Sequence, residues 1–171
     1  EMQKTMKAVA EAGGDMTKVN GDSIFPVLNM LNTKYFIFPL QGGQTVPVQN
    51  PYAYGNAWFV DKVTYANNAN EEIAEVGKLN LRHEAVADAK FKEQLGQSVP
   101  QDDTSMVKMI QYKPNNLTYE VKSSKGGVIV FSEIYYPGWT ATVDGQPAEL
   151  GRVNYIFRAL NVKPGSHKVV L

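Results

Sequence analysis

No cysteine occurs among the 171 residues. That removes disulfides, thiolate nucleophiles and cysteine-ligated zinc, and it leaves the compartment undetermined. Histidine is nearly as scarce. His83 and His167 are the only two, neither has a carboxylate at ligand spacing nearby, and a zinc site wants three or four ligands. Both read as ordinary surface or core residues, so no metal and no cofactor is expected. An excess of charge is missing too: Lys and Arg total 17 against 17 Asp and Glu. Residues 1–100 hold 9 basic and 11 acidic groups, residues 101–171 hold 8 and 6. Without a basic stripe nothing neutralises phosphates, which excludes nucleic acid as a partner and argues against an electrostatic membrane patch. No apolar run approaches the roughly 18–20 residues of a membrane span. The opening Glu1-Met-Gln-Lys has no charged-then-apolar leader pattern, and His167-Lys-Val-Val-Leu171 stops inside a strand pattern. Both features lead us to expect a piece of a longer protein.

Catalytic motifs are also lacking. There is no Gly-x-Ser-x-Gly elbow, and neither histidine sits in a triad context. Gly13-Gly14, Gly42-Gly43 and Gly126-Gly127 fit neither a dinucleotide nor a Walker pattern and read as turns. Asp102-Asp103 and the set Glu71, Glu72, Glu75 read as solvated charge, since paired carboxylates for glycoside hydrolysis must face one another across a cleft. No catalytic residue is assigned.

What is present is a change of periodicity along the chain. Met2, Met6, Val9 and Ala10 recur at helical spacing up to Gly13-Gly14. A second helix is signalled by Asp22 or Ser23 as cap, Pro26 in the first turn, and Ile24, Val27, Leu28 and Leu31 on one face. Tyr35–Phe38 reads as a buried strand closed by Pro39, residues 41–55 as a surface loop, and Trp58–Tyr65 as one strand. Asn70 is the expected cap of a short helix with Glu71 and Glu72 in its first turn and Gly77 at its end. Ala85–Ala87 fits a strand and Lys90–Leu95 a helical turn. From Met106 onward short strands alternate with turns. Leu117, Tyr119 and Val121 alternate with polar residues, Val128–Ile134 is an apolar run, and Asp144-Gly145 signals a type I′ hairpin. Val153, Tyr155 and Phe157 read as one strand, and Pro164-Gly165 turns into the last. The fold class expected is α+β: an α/β N-terminal half, residues 1–100, packed on a C-terminal antiparallel β-sandwich, residues 101–171, of the carbohydrate-module or jelly-roll kind.

One patch invites a binding function. Tyr135, Tyr136, Trp139 and Tyr155 offer flat faces on which sugar rings stack, and Arg152, Asn154 and Arg158 offer donors for hydroxyls or a phosphate. The competing reading is core packing, because Trp139 alternates with Ala141 and Val143 as an inward residue does. Within the binding reading, Tyr136 and Asn154 are expected to be more exposed than Trp139. Glu133 shares a strand face with Ile129 and Phe131, so it is expected to turn inward and to be satisfied by Arg152 or Arg158, the alternative being that it joins the ligand-binding set.

Four segments, in order, carry a resemblance: Asn29–Ile37, Asn56–Val60, Tyr136-Pro-Gly-Trp139 with Val143-Asp-Gly145, and Arg152-Val-Asn-Tyr-Ile-Phe-Arg158. Over about residues 24–171 the chain resembles the YfhO family, polytopic bacterial membrane proteins similar to GT-C glycosyltransferases. The resemblance implies a large C-terminal region on the extracytoplasmic face of the cytoplasmic membrane. Its partners would be the membrane-embedded remainder of the same chain and an envelope glycan or lipid-linked sugar. Such enzymes use polyprenyl-phosphate sugars through acidic residues in early loops between membrane spans, and those loops are not in this sequence. The expected function is a non-catalytic domain that positions a glycan acceptor or lipid-linked sugar. The alternative is a structural domain that braces the membrane portion.

Overall fold

Gly13 and Gly14 take positive φ, +64° and +86°, and the Gly14 N–H reaches back to the Val9 carbonyl at 2.9 Å, ending helix α1 (Met2–Glu11). Such left-handed residues satisfy orphan carbonyls at a helix end without a Cβ penalty. The computed structural model describes residues 2–40 and 42–171, without the side chains of residues 2–6 and 22. The apolar face expected from Met2 and Met6 at helical spacing, and Asp22 as a cap, therefore rest on side chains outside those described. The chain divides into two compact units, one ending at Gly55 and the other beginning at Asn56. The expected boundary near residue 100 falls inside the second unit, where residues 57–60 already pair into a sheet with a strand formed beyond residue 127.

In the first unit two short helices follow, α2 (Gly21–Ile24) and α3 (Pro26–Met30). Asn20, not Ser23, caps α2, accepting the Ser23 N–H at 3.3 Å, and Pro26 opens α3 where its missing N–H costs nothing. Strands β1 (Tyr35–Pro39) and β2 (Thr45–Gln49) form an antiparallel hairpin. The expected loop over 41–55 thus contains a strand, its apolar residues alternating with Thr, Pro and Gln. Nor is β1 buried throughout: Phe36 and Phe38 pack inward while Tyr35 and Ile37 are exposed. The core gathers Val9, Met16, Val19 and Phe25, with Phe25 edge-on to Phe36 and Tyr52.

The second unit is mostly β. The segment expected as one strand is two, β3 (Ala57–Val60) and β4 (Lys62–Ala66), broken at Asp61, whose carboxylate accepts the Gln101 N–H at 2.7 Å. Helix α4 (Ala69–Val76) is capped by Asn68 rather than Asn70, with Asn68 Oδ1 accepting the Glu71 N–H. Then come β5 (Glu84–Asp88), pairing with β4 in parallel, and the short α5 (Lys92–Leu95). Eight strands complete the chain: β6 (Met106–Lys113), β7 (Asn116–Ser123), β8 (Gly127–Ile134), β9 (Ala141–Val143), β10 (Gln146–Ala148), β11 (Gly151–Val153), β12 (Phe157–Val162) and β13 (Gly165–Val170). They make antiparallel sheets of order β10-β9-β13-β7-β6 and, with β3, β11-β12-β8-β3. One core is fed from both: Leu117, Tyr119, Val121 and Val169 from the first, Ile129, Phe131, Leu160 and Val162 from the second. Asp144 and Gly145, at φ +52° and +80°, form the expected β9–β10 turn. No helix of the described residues is long and apolar enough to cross a membrane.

Candidate functional site

The two aromatic and arginine-bearing segments of the C-terminal region have different fates. Val153, Tyr155 and Phe157 do not continue one strand. Asn154 and Tyr155 both take positive φ, +50° and +72°, and turn the chain from β11 into β12. Asparagine tolerates this region, whereas a tyrosine there costs about 1–2 kcal/mol. Surrounding bonds hold the turn. Glu72, on α4, is fully buried, and its carboxylate accepts the Tyr155 N–H at 2.9 Å and Arg152 Nη2 at 2.6 Å. Arg152 Nη1 donates to the Tyr155 carbonyl at 2.9 Å, and its guanidinium carbon lies 5.4 Å from the Tyr155 ring centre. Asn154 extends the pairing toward β5: its N–H donates to the Val86 carbonyl at 2.7 Å and its Oδ1 accepts the Val86 N–H at 3.0 Å.

Three expectations are corrected by this turn. Glu72 is not solvated charge like its neighbours Glu71 and Glu75, because α4 turns it inward on the face of Val76. Burial raises its pKa, opposed by the Tyr155 N–H and by Arg152. Arg152 pairs with Glu72 rather than Glu133. Asn154 is 1% exposed, since its amide replaces a strand neighbour for β5, so it is not an outward-facing donor. Glu133 itself is half-buried and reaches Arg158 only through its field. Arg158 is buried, and its Nε donates to the Ile134 carbonyl at 2.9 Å. Its guanidinium carbon sits 3.9 Å from the Trp139 ring centre, a stacked cation–π contact. Burial lowers the Arg158 pKa, opposed by Glu133.

The other segment stays open. Pro137-Gly138 bends the chain after β8, with Gly138 at φ +95°. Tyr135 is half-buried, its N–H bonded to the Ile156 carbonyl at 2.7 Å and its ring edge-on to Phe91 at 5.6 Å. Tyr136 is 69% exposed. Trp139 is half-buried, packed on the core and on Arg158. Together with Phe91, Gln94, Pro147, Ala148, Glu149 and Leu150, these residues line an open groove of about 500 Å³. Among the described residues its only charged lining residue is Glu149. Of the eight residues singled out from sequence, Tyr135, Tyr136 and Trp139 line the groove. Glu133, Arg152, Asn154, Tyr155 and Arg158 do not.

The structure also adds partners that sequence spacing could not show. His83 Nδ1 lies 2.8 Å from Asp61 and His167 Nδ1 lies 2.7 Å from Asp144, each aspartate more than twenty residues away in the chain. His167 Nε2 faces the Lys163 carbonyl at 3.0 Å. The hydrogen bond to Asp144 raises the His167 pKa and lowers that of Asp144. Asp102 is held down to about 2 by hydrogen bonds from Ser124 and Thr104, so it fastens a loop. Among the described residues no three His, Asp or Glu side chains gather as a metal site would need. Glu72 was legible in principle as a carboxylate at i, i+4 from Val76 on a helix face. The Pro147–Leu150 part of the groove lining carries no local signal.

Comparison with curated proteins and with solved structures returns no match. A family model does match, that of the bacterial membrane protein YfhO, over residues 63–171. The matched region runs from β4 to the end of the chain and includes both the groove and the Arg152 turn. It covers well over half of the sequence, and the chain belongs to the YfhO family of bacterial membrane proteins.

Proposed function

We propose that this chain is a non-catalytic extracytoplasmic domain of a polytopic, GT-C glycosyltransferase-like membrane protein. In this reading the groove beside Tyr136 positions sugar rings, those of an envelope glycan acceptor or of a lipid-linked sugar. The two sheets around one core act as a β-sandwich of the carbohydrate-module kind. The observation that carries the reading is the groove: an exposed Tyr136 and a Trp139 ring fixed by Arg158, with Glu149 the single charge among the described lining residues. The C–H faces of sugars are apolar and stack on such rings, while Gln94, Thr140 and Glu149 supply polar contacts. Both arginines are engaged by the protein itself, Arg152 by Glu72 and Arg158 by Ile134 and Trp139. The groove is therefore suited to the neutral sugar, not to a phosphate. Transfer chemistry belongs to the membrane-embedded remainder of the parent.

A second reading, a domain bracing that remainder, is favoured by the same arginines, since they serve the fold. Fluorescence separates the two. Trp58 is buried against Phe157, so Trp58→Phe leaves Trp139 as the sole tryptophan reporter. Titration with neutral envelope oligosaccharides and with polyprenyl-phosphate sugars should give a saturable change that Tyr136→Ala removes. Silence across the series would support the bracing reading.

A further inference from the structure

The β1–β2 hairpin has one face on the core of its unit and an outer face that its described residues leave exposed. Alternation sends Phe36, Phe38 and Val48 inward, and the register sets Tyr35 opposite Gln49 and Ile37 opposite Pro47 on the other side. Tyr35 is 58% exposed, Ile37 63%, and Leu40 just past β1 50%. Soluble proteins blunt such a hairpin with charge, especially lysine. Here the surroundings do the opposite: between Ile24 and Val60 the only ionised side chain is Lys34. The remaining polar residues of the hairpin and its flanks are uncharged Gln, Thr and Asn.

An apolar face with a tyrosine and a neutral polar rim matches the boundary between lipid headgroups and acyl chains. Amphipathic rings collect there, and a buried charge would be costly. The chain also belongs to a family of membrane proteins. We propose that the outer face of this hairpin rests on a lipid bilayer, with Tyr35, Ile37 and Leu40 in the interface. It lies on the membrane and does not enter far. Each strand has five residues, where a spanning strand needs about 9–11, and the unpaired edges of a two-stranded sheet must keep water or headgroups as partners. Because the contact is neutral, it should not depend on anionic lipid.

Flotation of the whole chain with vesicles of phosphatidylcholine alone, and of phosphatidylcholine mixed with phosphatidylglycerol, tests this at low and high salt. Binding is expected to be equal for the two compositions and unchanged by salt. Ile37→Glu should weaken it by about tenfold or more, the loss of one buried aliphatic side chain and the gain of a charge. Tyr35→Ser, a milder change, should weaken it less, and both variants should melt with the wild type because neither side chain touches the core. Absence of binding to either vesicle would overturn the proposal. So would binding that needs anionic lipid and vanishes in salt, which would assign the contact to lysines elsewhere. A wild-type dimer that Ile37→Glu converts to monomer without lipid would assign the face to a second copy instead.

Discussion

The Tyr135–Thr140 loop and the Arg152–Arg158 turn look alike as text, each an aromatic cluster beside polar groups, yet the fold spends one and displays the other. In the turn the main polar groups are already bonded: Arg152 to Glu72, the Tyr155 N–H to the same carboxylate, Asn154 to both polar atoms of the Val86 backbone, and Arg158 Nε to the Ile134 carbonyl. In the loop the backbone is anchored at Tyr135, but Tyr136 projects into solvent and Trp139 presents a groove wall. Residue type does not separate a binding face from a structural lock. Hydrogen-bond accounting does.

The sharpest way to break this contrast is Arg152→Ala. If the turn is a lock, removing the guanidinium strands a buried carboxylate and should cost about 3–5 kcal/mol in denaturant unfolding. A loss below about 1 kcal/mol would return Arg152 to the candidate ligands. Next comes Asn154→Ala, which deletes the acceptor for the Val86 N–H and an asparagine suited to positive φ. It should cost about 1–3 kcal/mol in the same assay, with groove residues unshifted by NMR. Tyr136→Ala inverts the pattern: stability should stay within about 0.5 kcal/mol, while sugar affinity falls roughly tenfold, near 1.4 kcal/mol, by titration.

The smallest effect is a pH dependence set by the Asp144–His167 pair. Asp144 precedes β10, which supplies Pro147 and Ala148 to the groove, and it is tied to His167. The folded His167 pKa lies above its ordinary value of 6.5. The folded state therefore holds the proton more tightly. The resulting stabilisation is complete below about pH 6.5 and is lost as pH rises through the raised value. Melting temperature followed across that window should slip for the wild type and stay flatter for His167→Asn.

Much of the fold was readable because its signals are local. The Asp144-Gly145 turn, the Gly13-Gly14 stop, Pro26 at a helix start and the strand alternation around Leu117–Val121 are each decided within a few residues. Where fold and sequence pattern differ, a distant partner decides in all but one case. Phe36 and Phe38 pack while Ile37 does not, because the helical segments cover one face of the β1–β2 hairpin. The strand expected through Val153–Phe157 became a turn because Glu72, more than eighty residues away, offers its carboxylate to Tyr155. The cap moved from Asn70 to Asn68, a local slip of two residues within an Asn-Asn-Ala-Asn run. For the site, the aromatic half of the groove was visible. The Pro147–Leu150 wall and the burial of Asn154 and Arg158 depend on which strands come together.

Amide NMR during titration with a neutral envelope oligosaccharide tests the central claim most directly. The account expects saturable shifts on residues 135–140 and 147–150, with residues 152–155 unmoved and the same map for a polyprenyl-phosphate sugar bearing that glycan. Shifts centred on Arg152, Asn154 and Tyr155, or binding that requires the phosphate, would contradict it.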